Sequence, residues 1–444
     1  MPTLRSIVSS YIGGGWGKET RSDDYPIPSR VIRGTDIPNL FVCKVDGVPR
    51  RFHTTSNFRS RKLQSGDLVF EVSGGSKDQP VGRVLLIRDD LLSELDGDVI
   101  PASFCKRIRP NRGLVEPLFL YYFLCSIYND RRITQWQVQS TGLSNFKFED
   151  FLDQCNISLP DLNHQRRITT VLSNYDALSE LNERRIQVLE KMARALYREW
   201  FIHFRFPDNH QRKVESTGPC HSPEGWETKN LESLIVDHIG GGWGKGEPEG
   251  RYSDPAWVIR GTDIPDARRC KVEDVPRRFH ANSNLHSRRL QAGDIIFEVS
   301  GGSKGQPVGR TLLITSELLS AFGEDSVICA SFCKRVRPNS KNCDSELLYL
   351  SFLEDYESGK IEKYQVQSTG ISNFRWTDYI QHTQRVIPPQ WLRLRFHELV
   401  APLFAQIATL GLQADNLRRT RDQLLTRLLS GNVNFKLETD HEEL

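Results

Sequence analysis

The chain states nearly the same thing twice. Gly13-Gly14-Gly15-Trp16-Gly17-Lys18 returns as Gly240-Gly241-Gly242-Trp243-Gly244-Lys245, a displacement of 227 residues from Gly13 to Gly240. At the same displacement VIRGTDIP (Val31 to Pro38) returns from Val258, VPRRFH (Val48 to His53) from Val275, and FEVSGGSK (Phe70 to Lys77) from Phe297. One extra residue then shifts the register, so that SFCKR (Ser103 to Arg107) matches Ser331 to Arg335 and QVQSTG (Gln137 to Gly142) matches Gln365 to Gly370. Units this long are domains, since solenoid modules repeat every 20–50 residues or so. Loop-like stretches such as SGGSK drift first in a duplicated chain, because loops tolerate change. Here they match as well as the strand-like runs do. Two copies of one surface suit a target that also presents something twice.

At 444 residues the chain can hold two or three domains, and 38% hydrophobic with 26% charged residues describes a globular protein able to bury sizeable cores. It lacks the roughly 18-residue apolar run of a membrane span and the apolar core of a signal peptide, so a cytoplasmic protein with no membrane partner is expected. Nine cysteines show no CxxC pair and no histidines at zinc spacing. They predict reduced core thiols and no metal.

The net charge is only +3, so local distribution says more than the total. Arg50-Arg51, Arg59, Arg61-Lys62 and Lys106-Arg107 with Arg109 crowd the first unit; Arg277-Arg278, Arg288-Arg289 and Lys334-Arg335 with Arg337 occupy matching places in the second. Any one such pair reads as solvated loop charge. Their recurrence predicts a phosphate-facing surface.

Each unit reads as strand-rich α/β. Asp67 to Val72 and Asp294 to Val299 are short apolar runs closed by Ser-Gly-Gly turns, which predicts buried strands. Val81 to Ile87 and Val308 to Ile314 supply another strand, and helices are expected over Glu116 to Tyr128 and Ser345 to Tyr356. Between the units, His164 to Phe201 contains neither Gly nor Pro. Ile168, Val171, Tyr175, Leu178, Asn182, Arg185, Leu189, Met192 and Leu196 step by threes and fours, a heptad seam. After the second unit Leu403, Ile407, Leu410, Ala414, Leu417, Arg421, Leu424 and Leu428 do the same, and Gly431 supplies a stop. A helix of about 37 residues is roughly 55 Å long, and it needs a partner along its length. Each is the other's candidate, in an antiparallel coiled coil.

Catalytic signatures fail one by one. Ile12 and Ile239 sit where a P-loop needs Gly, and Glu19 and Gly246 where it needs Ser or Thr. Asp67 and Glu71 lack the following Lys of a PD…ExK nuclease. His53 and His280 stand beside Arg-Arg-Phe as packing or phosphate-contact residues rather than bases, and Trp16 and Trp243 read as packing anchors. Without a nucleophile, base and orienter set, the chain is expected to bind rather than catalyse, and it needs no cofactor.

The segments around the helices carry a resemblance. Leu189 to Leu196 (LEKMARAL) with Glu199-Trp200-Phe201-Ile202-His203-Phe204 resembles the end of the central conserved helix in specificity subunits of Type I restriction–modification systems. Leu159-Pro160, Gln165 and Ile168 resemble the entry to that helix, with His164 where Glu is usual. Leu417, Arg421 to Leu425 and Arg427 to Gly431 are similar to the family's C-terminal helix ending, and Ser222 to Glu227 (SPEGWE) to the opening of a target recognition domain. The resemblance implies an α+β chain in which two repeated α/β recognition domains are separated by two long helices packed as an antiparallel coiled coil. Its parts would be a first recognition domain at 1–160, a central helix at 161–206, a linker and second recognition domain at 207–392, a C-terminal helix at 393–432 and a polar tail at 433–444. It further implies double-stranded DNA, two DNA adenine methyltransferase subunits and motor-nuclease restriction subunits as partners. Leu178, Leu189, Met192, Leu196, Leu410, Leu417, Leu424 and Leu428 would form the coiled coil or dock those partners.

Base-reading residues do not carry over, because recognition domains differ in sequence. The residues themselves offer candidates. Ser76 and Lys77, with Ser303 and Lys304, combine turn amides with a cation in a phosphate nest or a plain hairpin turn. Gln79 and Gln306 can bond adenine bidentately. Lys18 and Lys245 can reach a phosphate or a guanine edge, and Arg50, Arg51, Arg277 and Arg278 phosphates. Gln139 and Thr141, with Gln367 and Thr369, lie in a polar loop suited to base or phosphate contact, or to capping. Identical contact segments in the two units predict a split site with identical halves, an interrupted palindrome. The rival reading is a protein–protein scaffold with two equivalent binding domains.

Overall fold

The computed structural model describes residues 1–41, 44–74, 79–140, 143–207, 214–215, 222–302, 306–368 and 371–429. It forms two compact units, Met1–Leu178 with Leu417–Leu444, and Ser179–Asn416. No helix among the described residues is long and apolar enough to cross a membrane.

In the first unit, strands β1 (Val8–Gly13), β4 (Leu68–Glu71), β6 (Val84–Leu86) and β8 (Cys105–Pro110) make an antiparallel sheet in the order β1-β8-β4-β6. All of β4 is buried, which explains why its LVFE run does not alternate. A second sheet sets β2 (Ile27–Ile32) between β3 (Arg50–His53) and the parallel β7 (Val99–Pro101). A small third sheet joins β5 (Ser73–Gly74) to the hairpin of β9 (Gln137–Ser140) and β10 (Leu143–Phe146). The helix Pro117–Asn129 buries nine residues in the core that it shares with the main sheet and the long helices, where Phe70, Phe119 and Phe151 are fully enclosed. Each such side chain contributes roughly 1.5–3 kcal/mol by leaving water.

The second unit repeats this arrangement. Ile235–Gly240, Cys333–Pro338, Ile295–Glu298 and Thr311–Leu313 form the main sheet in the same order, and Ser345–Glu357 covers it.

The central helix, Leu162–Tyr197, begins in the first unit and ends in the second, and the C-terminal helix, Gln390–Leu429, contributes to both. In the first unit Ile168 and Leu172 pack in one core with Leu425 and Leu428, while Asp176 takes Arg421 and, at 2.6 Å, the Tyr122 hydroxyl. In the second, Ser179 Oγ donates to the Ala414 carbonyl at 3.4 Å, Ile186 packs on Ile407 and Leu410, and Trp200 meets Phe396 with ring centroids 5.7 Å apart. Within each unit rising numbers on one helix meet falling numbers on the other, so the pairing is antiparallel.

The seam expected on the central helix is shifted by one residue along most of its length. Leu178 and Met192 are 50% and 47% exposed, while the enclosed stripe is Gln165, Ile168, Leu172, Ser179, Asn182, Ile186, Ala193 and Tyr197. Small and polar residues occupy half of that stripe, so a count of large apolar residues selects the adjacent one. Leu189 and Leu196 sit at its partly buried edge. The C-terminal seam holds better: Leu410 and Leu428 are buried and Leu424 packs against the first unit's core, with Leu417 half-buried. Gly411 allows the C-terminal helix to press on the second unit's globular part, since a Cβ there would collide with the Arg269 carbonyl.

Two motifs near the helices have a packing explanation. Gln165, fully buried, accepts from the Glu116 amide at 2.8 Å and donates to the carbonyls of Leu114 and Pro160 at 3.0 and 2.8 Å, so it fastens the start of the central helix to the first domain. At the other end Phe201 stacks edge-on against Phe396 and Trp226, with centroids 4.7 and 5.9 Å apart, which joins WFIHF to SPEGW.

Candidate functional site

The repeated segments meet at one end of each main sheet. Strand β1 ends at Gly13 opposite Lys106, and β4 ends at Glu71 opposite Cys105, where β8 begins. The GGGWGK loop after β1, Ser73-Gly74 after β4 and the Ala102–Phe104 turn before β8 therefore share that end, and β5 brings the β9–β10 hairpin beside them. Strand β3 is tied in by paired 2.9 Å hydrogen bonds between the backbones of Lys18 and Phe52. The second unit has the same construction: Gly240 faces Lys334, Glu298 faces Cys333, Ser300 pairs with Asn373, and Lys245 with Phe279.

The glycines are required by close approach. Gly14 and Gly15 donate to the carbonyls of Cys105 and Pro101, both at 2.9 Å, and a Cβ on Gly14 would collide with the Ala102 carbonyl. Gly17 has φ +69°, and a Cβ on it would stand 2.5 Å from both the Phe52 carbonyl and the His53 ring. His53 and His280 lie enclosed beneath the loop, 1% and 0% exposed, and so pack rather than touch phosphate. Burial holds both imidazoles below their ordinary pKa, with Arg61 near the first and Arg278 and Arg288 near the second adding to the effect. They are neutral at neutral pH.

Trp16 and Trp243 are not packing anchors. They are 37% and 41% exposed, and the guanidinium groups of Arg51 and Arg278 lie over their rings at 4.5 and 4.8 Å. This cation–π stack fixes each arginine at the rim of the loop.

Much of the presumed phosphate-facing charge is structural. Arg109 grips Asp67 with two 2.7 Å bonds, Arg83 grips Glu71 at 2.5 and 2.9 Å, and Arg107, 7% exposed, donates to the Ser60 carbonyl. Arg337 with Asp294, and Arg310 with Glu298, repeat the two ion pairs. Lys62 pairs with Asp98, and Arg61 and Arg288 hold the carbonyls of Gly13 and Gly240. The carboxylates Asp67 and Glu71 thus brace the sheet. Lys18 and Arg50 stand exposed at the first site and Arg277 at the second, while Arg51, with its side chain 14% exposed, and Lys245 and Arg278 are partly buried there. Lys18 lies 4.5 Å over the Tyr25 ring, Lys245 pairs with Glu249 at 2.6 Å, and Arg277 with Asp325 at 2.9 Å.

Gln79, Gln306 and Gln367 are exposed, and Gln139 lies in β9. Ser76, Lys77, Thr141, Ser303, Lys304 and Thr369 lie outside the described residues. Two features escaped the sequence reading. Phe104 and Phe332 are 59% and 55% exposed at the same turn, and Ser73 and Ser300 bond Asn145 and Asn373 across the small sheet at 2.9 and 2.7 Å. Their signal was available, since each recurs in both units.

Among the described residues no group of three or more His, Cys, Asp and Glu side chains could hold a metal ion. The buried Cys105 is a free thiol that burial pushes up to about 12, so it is no nucleophile.

Residues 59–191 match the Type I restriction modification DNA specificity domain. The specificity subunit of the Type I restriction enzyme MjaIX of Methanocaldococcus jannaschii is 25% identical, with 80% of this chain and 76% of that one aligned. That of HindI from Haemophilus influenzae is 28% identical over 84% and 88%. The matched segment is thus similar to a Type I DNA specificity domain, and both relatives are Type I specificity subunits. A specificity subunit is the recognition component of its system and not a catalytic one. The fold agrees: the crystal structure of a Type I S subunit from M. genitalium superposes with a TM-score of 0.51 at 13% identity, over 98% of this chain and 96% of the other.

Proposed function

We propose that this specificity subunit reads a split DNA site with two identical halves, one through the sheet end that carries Lys18, Arg50 and Arg51 and one through that carrying Lys245, Arg277 and Arg278. The observation that carries the reading is the recurrence of one surface, with the same Gly-rich loop, the same Arg-over-Trp stack and the same Ser–Asn bond in both units. Cations at the rim supply sequence-independent affinity, and exposed amides such as Gln79, Gln306 and Gln367 supply base readout. On antiparallel strands, one half-site read twice gives an interrupted palindrome, methylated once on each strand. The nest and loop residues Ser76, Lys77, Gln139 and Thr141, with Ser303, Lys304 and Thr369, belong to the same surfaces in this reading.

The partners are two DNA adenine methyltransferase subunits, joined by motor-nuclease restriction subunits. Leu181, Val188 and Met192, exposed on the central helix at 42%, 55% and 47%, offer an apolar docking face in the second unit, and Leu178 has the same role in the first. Mapping methylated bases in the host genome with and without this gene tests the reading. A motif with unrelated halves would overturn the palindrome. Duplex binding by the assembled complex that is weak and indifferent to salt would favour the scaffold reading.

A further inference from the structure

Phe104 and Phe332 present a chemical oddity. A phenyl ring left 59% or 55% in water forgoes stabilisation that burial would bring, and a lone exposed apolar residue ordinarily carries no meaning. These two stand at the same position of the same turn, at the sheet end where the repeated segments meet. The turn is also rigid. Ala102 donates to the Ile32 carbonyl at 2.8 Å, Cys105 to Ala102 at 2.8 Å, and Val72 to Phe104 at 2.9 Å. The second turn is held by the matching bonds of Ala330 to Ile259, Cys333 to Ala330 and Val299 to Phe332, at 2.8, 2.9 and 2.8 Å. Cys105 and Cys333, both 0% exposed, point inward and fix the ring on the outward side.

We propose that Phe104 and Phe332 are wedges, each entering a base step of its half-site and stacking on the exposed base face. The inference rests on the DNA-reading function proposed above and names a contact that reading does not contain. Its surroundings decide the partner. The turn that carries the ring bonds Val72, next to the Ser73–Asn145 pair, at the sheet end where β1 also runs out into the Gly-rich loop that ends in Lys18. An apolar ring in a polar, cationic frame suits a duplex, whose phosphates meet the frame while an unstacked step takes the ring. A rigid turn and a side chain with two rotatable bonds lose little freedom on insertion.

The test uses the chain assembled with its methyltransferase subunits and duplexes bearing the motif recovered by methylation mapping. 2-Aminopurine is placed in turn at each step of one half-site, away from the methylated adenine. With the wild-type complex, one position should brighten on binding. In the double variant Phe104→Ala, Phe332→Ala that signal should vanish and affinity should fall roughly tenfold or more, the scale of a lost base–aromatic stack. The slope of affinity against salt should not change, because no phosphate contact is removed. Phe104→Leu with Phe332→Leu should keep part of both effects. Undiminished fluorescence and affinity in the alanine variant would overturn the wedge, as would an affinity loss accompanied by a lower melting temperature. A wild-type complex without salt-dependent duplex binding would instead overturn the DNA-reading function itself.

Discussion

The guanidinium of Arg51 lies 4.5 Å over the ring of Trp16 while its Nη1 holds the Glu19 carboxylate at 2.6 Å. In the second unit Arg278 stacks on Trp243 in the same way, but Gly246 stands in the place of Glu19. The two sites share a stack, but only the first sets a carboxylate from this position against its arginine. Glu19→Ala should therefore raise the assembled complex's affinity for motif duplex roughly two- to fivefold at low salt, the ~0.5–1 kcal/mol scale of an exposed pair, and the gain should shrink as salt rises. Titration at two salt concentrations checks this, and no gain at low salt would show that Arg51 does not face the duplex.

The corrected helix seam separates two substitutions that sequence alone treats alike. Ile186 is 0% exposed against Ile407 and Leu410, whereas Met192 is 47% exposed. Ile186→Asp should destabilise the chain by more than about 3 kcal/mol, because it exchanges a filled core position for an unpaired buried charge. Met192→Asp should melt like the wild type and lose methyltransferase binding in a pull-down or by calorimetry. The opposite pattern would restore the seam read from the sequence.

Gln165 closes three backbone groups at once. Gln165→Leu keeps the volume and leaves the Glu116 amide and the carbonyls of Leu114 and Pro160 without their partner. A loss of about 1–3 kcal/mol is expected, visible as a melting-temperature drop of several degrees. Protection of the Glu116 amide from hydrogen exchange should fall with it.

The enclosed histidines make stability fall with acid. Both His53 and His280 have a folded pKa below the ordinary 6.5, so the unfolded chain takes up their protons first as pH drops. Their contribution is present above pH 6.5 or so and is lost as pH falls through the lowered folded values. Denaturant midpoints between pH 7.5 and 5.5 should decline more steeply for the wild type than for the double variant His53→Asn, His280→Asn. Equal slopes would remove the histidines from the account.

The sequence carried the architecture well and the site only in outline. Duplicated segments and a Gly- and Pro-free stretch are properties of the chain itself, so the repeat and the long helices were visible. The central seam is displaced because Ser179 and Ala193 do the packing beside Leu178 and Met192, where the larger residues are expected. The charge clusters were over-read for a different reason. Nothing in the string places Asp67 beside Arg109 or the Ser60 carbonyl beside Arg107, and only the fold shows those guanidinium groups already occupied. Trp16 reads as a packing anchor because large aromatics usually pack, and its exposure follows from a loop whose Gly17 already lies against Phe52 and His53.

The fastening at Gln165 also bears on how such a gene can be reshuffled. A crossover that exchanged residues 1–160 alone would confront Gln165 with a foreign Leu114 and Glu116, and Ile168 and Leu172 with an unmatched core. A crossover near Leu178, paired with one near Leu417, would move every one of those contacts together. Inherited cassettes in this lineage should therefore break inside the long helices, where the reading frame of the packing survives the join.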